Sequence, residues 1–141
     1  MRKIIFLFCS IVALSSFDYK GYDKHLKIQT QDKKIHDFTI SIVTSAKDQE
    51  KGLMFVTDLP ENYGMLFEFE KKRVIYMWMK NTKIPLDMLF IDENNKIVSI
   101  KHNAHPESLD IISSEKLAAK VLEINGGKAK ELGIKAGDDI L

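Results

Sequence analysis

Cysteine is all but missing from this chain. The only one, Cys9, sits in an apolar start that is expected to be removed, so the remaining chain has none. That excludes disulfides, thiolate metal sites and a cysteine nucleophile together. A small residue directly before Cys9, as a lipid anchor requires, is also missing: Phe8 stands there. Long hydrophobic runs are absent too. The best, Ile4 to Leu14, falls short of the roughly 20 residues that span a bilayer. Neither sign of charge dominates, with 21 basic and 20 acidic residues; without Arg2 and Lys3 the balance is 19 against 20. Nothing in that balance points to nucleic acid or an anionic membrane surface. Lys33-Lys34 and Lys71-Lys72-Arg73 are short basic clusters that read as solvated turns. There is no full P-loop, no serine in a nucleophile elbow and no Asp-rich calcium loop.

What is present begins with an export signal. Arg2 and Lys3 give a positive start, the apolar run follows, and Ala13-Leu14-Ser15 offers the small residues a signal peptidase reads. Residues 1–16 are expected to be cleaved, residues 17–25 to form a flexible lead-in, and residues 26–141 to form one globular domain. The expected location is periplasmic or extracellular, with no stable membrane insertion after cleavage. About 125 residues, drawn from a chain that is 45% hydrophobic, suffice for one core without disulfides.

Leu26–Thr30 and Phe38–Val43 read as strands joined by a turn at Asp32-Lys33-Lys34, the second alternating Phe38, Ile40, Ile42 with polar residues. Ser45-Ala46-Lys47-Asp48 has capping-box spacing, so a helix is expected to about Lys51, stopped by Gly52. Met65–Phe69 reads as a short strand. Val74–Lys80 and Leu86–Ile91 are apolar on both sides and read as central strands. Ile97–Ile100 is another strand, and His102–Leu117 reads as a polar loop. Val121–Ile124 is a strand, followed by a turn, a short helix over Lys128–Leu132 and a last strand at Asp139–Leu141. The sum is an α+β domain: a mostly antiparallel, strongly bent sheet or small barrel-like β core with two short helices.

Three side chains stand out: Lys80, Asn81 and Asp87, between runs built for burial. An unpartnered buried charge costs several kcal/mol, so these groups need partners. Lys80 and Asp87 can close a cleft for a zwitterionic or anionic ligand, or form an internal ion pair with Asn81 capping the loop. Five methionines from Met54 to Met88, with His102 and His105, raise Cu(I) binding. Met77 and Met79 alternate with Ile75 as core residues do, so core filling is the reading adopted and no cofactor is expected. Asn125-Gly126-Gly127-Lys128 reads as a plain strand-to-helix turn.

Taken together, Gly52-Leu53-Met54, Gly64-Met65-Leu66-Phe67, Trp78-Met79-Lys80-Asn81-Thr82 and Ile84-Pro85-Leu86-Asp87 resemble the family called domain of unknown function 192. Ala104, Pro106 and Ser108, then Val121-Leu122-Glu123, Gly126 or Gly127, Gly133-Ile134 and Gly137-Asp138 extend the resemblance over Leu26 to Leu141. It implies a small, often exported domain with a barrel-like β core, and it brings no catalytic assignment. One departure is visible. An arginine common in the family two residues after Gly-Leu-Met is Val56 here, which leaves Glu123 or Asp87 to find another partner.

The expected function is a non-enzymatic module of the cell envelope that binds a small ligand or an envelope protein. Its site is expected near Trp78, Lys80, Asn81 and Asp87, with Glu123 as a further member. The alternative is a small hydrolase- or isomerase-like enzyme with Asp87 or Glu123 as base and Lys80 as electrostatic partner.

Overall fold

In the computed structural model, which describes residues 17–141, the first two alternating segments pair as expected. β1 (Lys24–Gln29) and β2 (Ile35–Val43) form an antiparallel hairpin with Leu26 opposite Phe38. The expected signal, with Cys9, lies outside the described residues. The expected lead-in is partly built into the fold: Phe17 is buried, and its ring packs edge-on against Tyr19, Tyr22 and Tyr63.

α1 (Ala46–Lys51) begins at Ser45, whose Oγ accepts from the Asp48 amide at 3.1 Å, and ends at Gly52. Gly52 has φ of 46°, and a Cβ there would lie 3.1 Å from the Phe67 ring, so glycine is what lets the helix end close over that ring. The connection through α1 makes β2 parallel to the next strand, the one parallel pair in the sheet.

That next strand differs from expectation. Instead of two strands around a basic turn there is one, β3 (Tyr63–Met77). Glu68 pairs with Lys120 and Arg73 with Ala118, so Phe69–Lys72 bulge out while the same partner strand holds both halves. The strand ends at Met77, so Trp78, Lys80 and Asn81 belong to the loop that follows. Its second half is not central either: Ile75 is buried but Tyr76 is exposed.

β4 (Leu86–Ile91) is buried at every residue, the central strand the sequence implies, with Pro85 just before it. β5 (Ile97–Ala104) and β6 (Ile112–Asn125) take most of the expected loop over His102–Leu117 into strand. β6 is held to β3 through a second bulge, which the buried Ser114 fills. Its Oγ accepts from the Ile75 amide and donates to the Lys116 carbonyl, so the backbone groups released by the bulge keep partners. α2 (Lys128–Leu132) and β7 (Asp139–Ile140) complete the chain.

The seven strands form one mostly antiparallel sheet, in the order β5-β4-β6-β3-β2-β1-β7, curled into a half-barrel. A bridge between Lys96 and Asp139 ties the start of β5 to β7 at one corner. The sheet buries both faces. Met65, Phe67, Met88, Phe90 and Val121 belong to one apolar cluster, and Leu66, Leu89, Ile91, Leu122 and Ile124 to the other. Among the described residues no helix is long and apolar enough to cross a membrane.

Candidate functional site

Strand alternation decides where the two acids point. Asp87 stands opposite Ile124 and Glu123 opposite Met88, so neighbouring positions send their carboxyls to opposite faces of the sheet.

Asp87 enters the face that packs against α2. It is fully buried; Oδ1 accepts from the Asn103 amide at 2.8 Å and the Gly127 amide at 2.9 Å, and Oδ2 from the Ala129 amide at 2.8 Å. One carboxylate thus satisfies the start of α2 and ties it to the end of β5. No ion pair joins it to Lys80 among the described residues. Backbone amides stand in the place where the internal ion pair expected Lys80.

Glu123 points the other way, between Met65 and Met88 on the adjacent strands. It is only 4% exposed, yet among the described residues its carboxyl has no hydrogen bond and no cation. Burial pushes it up to about 8 from the usual 4.5. The carboxyl lines a cavity of about 300 Å³ with Gly52, Leu53, Met54, Phe67, Phe69, Met77, Trp78, Lys80 and Thr82. A second cleft of about 450 Å³, lined by Tyr22, Val56 and Met65 among others, lies across the shared wall Lys51–Met54. Burial and then the charge of Glu123 push the Tyr22 hydroxyl up to about 12. Val56 is half-buried against the apolar cluster and offers Glu123 no charge.

Three of the five expected site residues therefore share one cavity: Trp78, Lys80 and Glu123. The Lys80 ammonium stands 5.0 Å from the centre of the Trp78 ring. Asn81 lines a shallower cleft beside it with Met54, Trp78 and Lys80. Its backbone is in the left-handed region at φ 53°, which asparagine tolerates, and its carbonyl accepts from the Phe55 amide at 2.8 Å. Asn81 so holds the turn after α1 in place as the cavity wall. Asp87 is the member that does not join.

The Gly52–Met54 wall and the rings of Phe67 and Phe69 were not expected at the site, although Gly52-Leu53-Met54 and Gly64-Met65-Leu66-Phe67 are motifs visible in the sequence. Of the methionines, Met65, Met79 and Met88 are buried in the core, while Met54 and Met77 line the cavity. Among the described residues no three His, Cys, Asp or Glu side chains are grouped to hold a metal.

The model of the family DUF192, described as an uncharacterized ACR, matches residues 27–141. A crystal structure from Sinorhizobium meliloti 1021, of a protein proposed as a transcription regulator, is 40% identical with a TM-score of 0.82, over 83% of this chain and 91% of that one. A protein of unknown function from Novosphingobium aromaticivorans DSM 12444 is 34% identical with a TM-score of 0.80, over 83% of each chain. No curated protein matches the chain.

Proposed function

We propose, from the premise that the chain belongs to the DUF192 family, that it is a small-molecule-binding module whose ligand occupies the cavity beside Glu123. The observation that carries this reading is a buried carboxyl without a hydrogen-bond partner in the wall of a cavity whose inner side is apolar and whose rim carries Glu50, Lys51 and Lys80. Buried polar groups in folded proteins are almost always satisfied, and an unsatisfied one needs an explanation. A ligand with an apolar body and one polar head supplies it. The body lies against Phe67, Met77 and Trp78, and the head meets Glu123.

The export signal read from residues 1–16 supports a location outside the cytoplasm, in the periplasm or beyond; the mass of the purified protein from an export-competent host tests the cleavage. The near balance of charge, 21 basic against 20 acidic residues, lends no support to the role proposed for the Sinorhizobium relative.

One observation favours the enzyme as a second reading: a carboxyl held near 8 in a concave site is poised as a general base or acid at neutral pH. Against it, nothing orients the carboxyl, and no nucleophile or second titratable group bonds to it. Trp78 is the only tryptophan and forms part of the cavity wall, so its emission reports occupation. Titration with hexylamine, hexanol and hexanoate is expected to give a saturable change with at least one of them. No saturable change with any of the three overturns the binding reading. Conversion of a bound compound, seen as new NMR signals that vanish in Glu123→Gln, moves the assignment to an enzyme.

A further inference from the structure

We infer, resting on the reading that the cavity takes a ligand, that the ligand is an organic ammonium ion. Its charged head seats against the Glu123 carboxylate and its apolar body against Trp78, Phe67 and Met77. The argument begins with how every other buried polar side chain is treated. Thr30 and Thr82 bond to nearby backbone carbonyls, and Ser114 fills its bulge. Asp87 accepts three backbone amides and Asp138 two. Lys128 reaches Glu61 at 2.8 Å and Glu131 at 3.2 Å. Among the described residues, Glu123 is the one acid buried as a whole side chain that bonds to nothing. The other buried atoms without a partner, His36 Nε2 and His102 Nδ1, are single nitrogens of half-buried rings, whereas the Glu123 oxygens are not sealed in but border the cavity.

The group that best completes a lone buried carboxyl is a cation that also donates hydrogen bonds, since charge-assisted bonds are the strong ones. The cavity walls suit that cation. Two of their aromatic rings already carry a cation, Lys80 over Trp78 at 5.0 Å and Arg73 over Phe69 at 4.8 Å. Aromatic faces of this kind suit a cationic head with an apolar body.

The charged and titratable groups around Glu123 do not take this role. Lys51 and Glu50 come from α1 and Lys80 from the loop after β3; all three line the same cavity but are exposed. Tyr22, from the segment before β1, is neutral until far above neutrality. The flanking strands contribute only Met65 and Met88. Burial is the cause of the raised affinity of Glu123 for its proton, and no neighbouring cation offsets it.

Seating an ammonium is therefore coupled to a proton. In the free protein at neutral pH the carboxyl is mostly protonated. In the complex the ammonium keeps its own protons, the carboxyl ionises against it, and the displaced proton goes to the buffer. A ligand with a hydroxyl head releases none, and a carboxylate ligand needs Glu123 to keep its proton.

The test is calorimetric titration at neutral pH with hexylamine, hexanol and hexanoate, which share one body and differ in head. Repeating the hexylamine titration in phosphate and in Tris, whose ionisation heats differ, counts the protons. Hexylamine is expected to bind roughly tenfold or more tighter than hexanol, a difference of about 1.4 kcal/mol, with release of most of one proton. In Glu123→Gln both the preference and the release are expected to disappear while hexanol still binds. If hexanol or hexanoate binds as tightly as hexylamine, the ammonium assignment is overturned and the cavity remains a binding site. If none of the three binds, the cavity reading falls with it. Should Glu123→Gln not fold, the preference of the unaltered protein for hexylamine over hexanol and hexanoate decides alone.

Discussion

At the scale of single residues, the two acids that look alike in the sequence have opposite lives. Glu123 keeps its proton more tightly in the folded protein, near 8, than in the unfolded chain, near 4.5. The sign follows from linkage: its contribution to folding is fully present below pH 4.5, is lost as pH rises towards 8, and above that the buried carboxylate opposes folding. Glu123→Gln removes the titration. Denaturation midpoints of the variant are expected to fall less between pH 4.5 and 8 than those of the unaltered protein. Above pH 8 the variant is expected to be the more stable by several kcal/mol. Parallel curves would remove Glu123 from its buried, unpaired setting. Sequence patterning gives Asp87 and Lys80 prominence because charges flanked by apolar runs are conspicuous, whereas Glu123 reads as one polar residue at the end of a strand. What distinguishes them is which amides and cations reach each carboxyl. Those partners come from residues far away in the chain, such as Asn103 and Ala129 for Asp87.

At the scale of elements, Asp87 belongs to the short helix α2 more than to its own strand. A helix of five residues has no stability of its own, and its start is held by a carboxylate delivered from β4. Replacing Asp87 with Asn keeps the shape but loses the charge and sets an amide donor against backbone donors. The expected loss is about 2 kcal/mol or more, read from denaturation midpoints, because bonds to charged groups contribute about 1.5–3 kcal/mol. Unchanged or greater stability would instead mark the acid as held there at a cost, as functional groups are. The hairpin of β1 and β2, both helices and β4 were legible because alternation, capping residues and Gly52 act locally. β3 was not. Lys71-Lys72-Arg73 carries the local signature of a turn, yet β6 runs unbroken along both halves and turns that signature into a bulge. Likewise both ends of the polar stretch from His102 to Leu117 become strand because their partners, β4 and β3, lie elsewhere in the chain.

At the scale of the whole molecule, the corner where β5 meets β7 closes the curled sheet, and Asp138 organises it. Its side chain is buried and accepts from the Gln31 amide at 3.1 Å and the Lys135 amide at 2.7 Å, while its carbonyl accepts from the Ile97 amide. Asp138→Ala is expected to lower stability by about 2 kcal/mol. It is also expected to speed hydrogen exchange at the Ile97 and Ile140 amides, both of which bond across this corner. Protection unchanged at both would mean the corner stands without it. The bent, barrel-like sheet was legible from many short apolar strands with two helices, but the strand order was not, since period-2 patterns name faces and not neighbours. That order also governs how a nascent chain acquires its shape. β6 lies between β4 and β3. Until the ribosome has delivered Ile112–Asn125, β4 and β3 have no common neighbour and each presents an open edge. Folding is thereby postponed until most of the polypeptide exists, and its rate is governed by contacts distant along the chain.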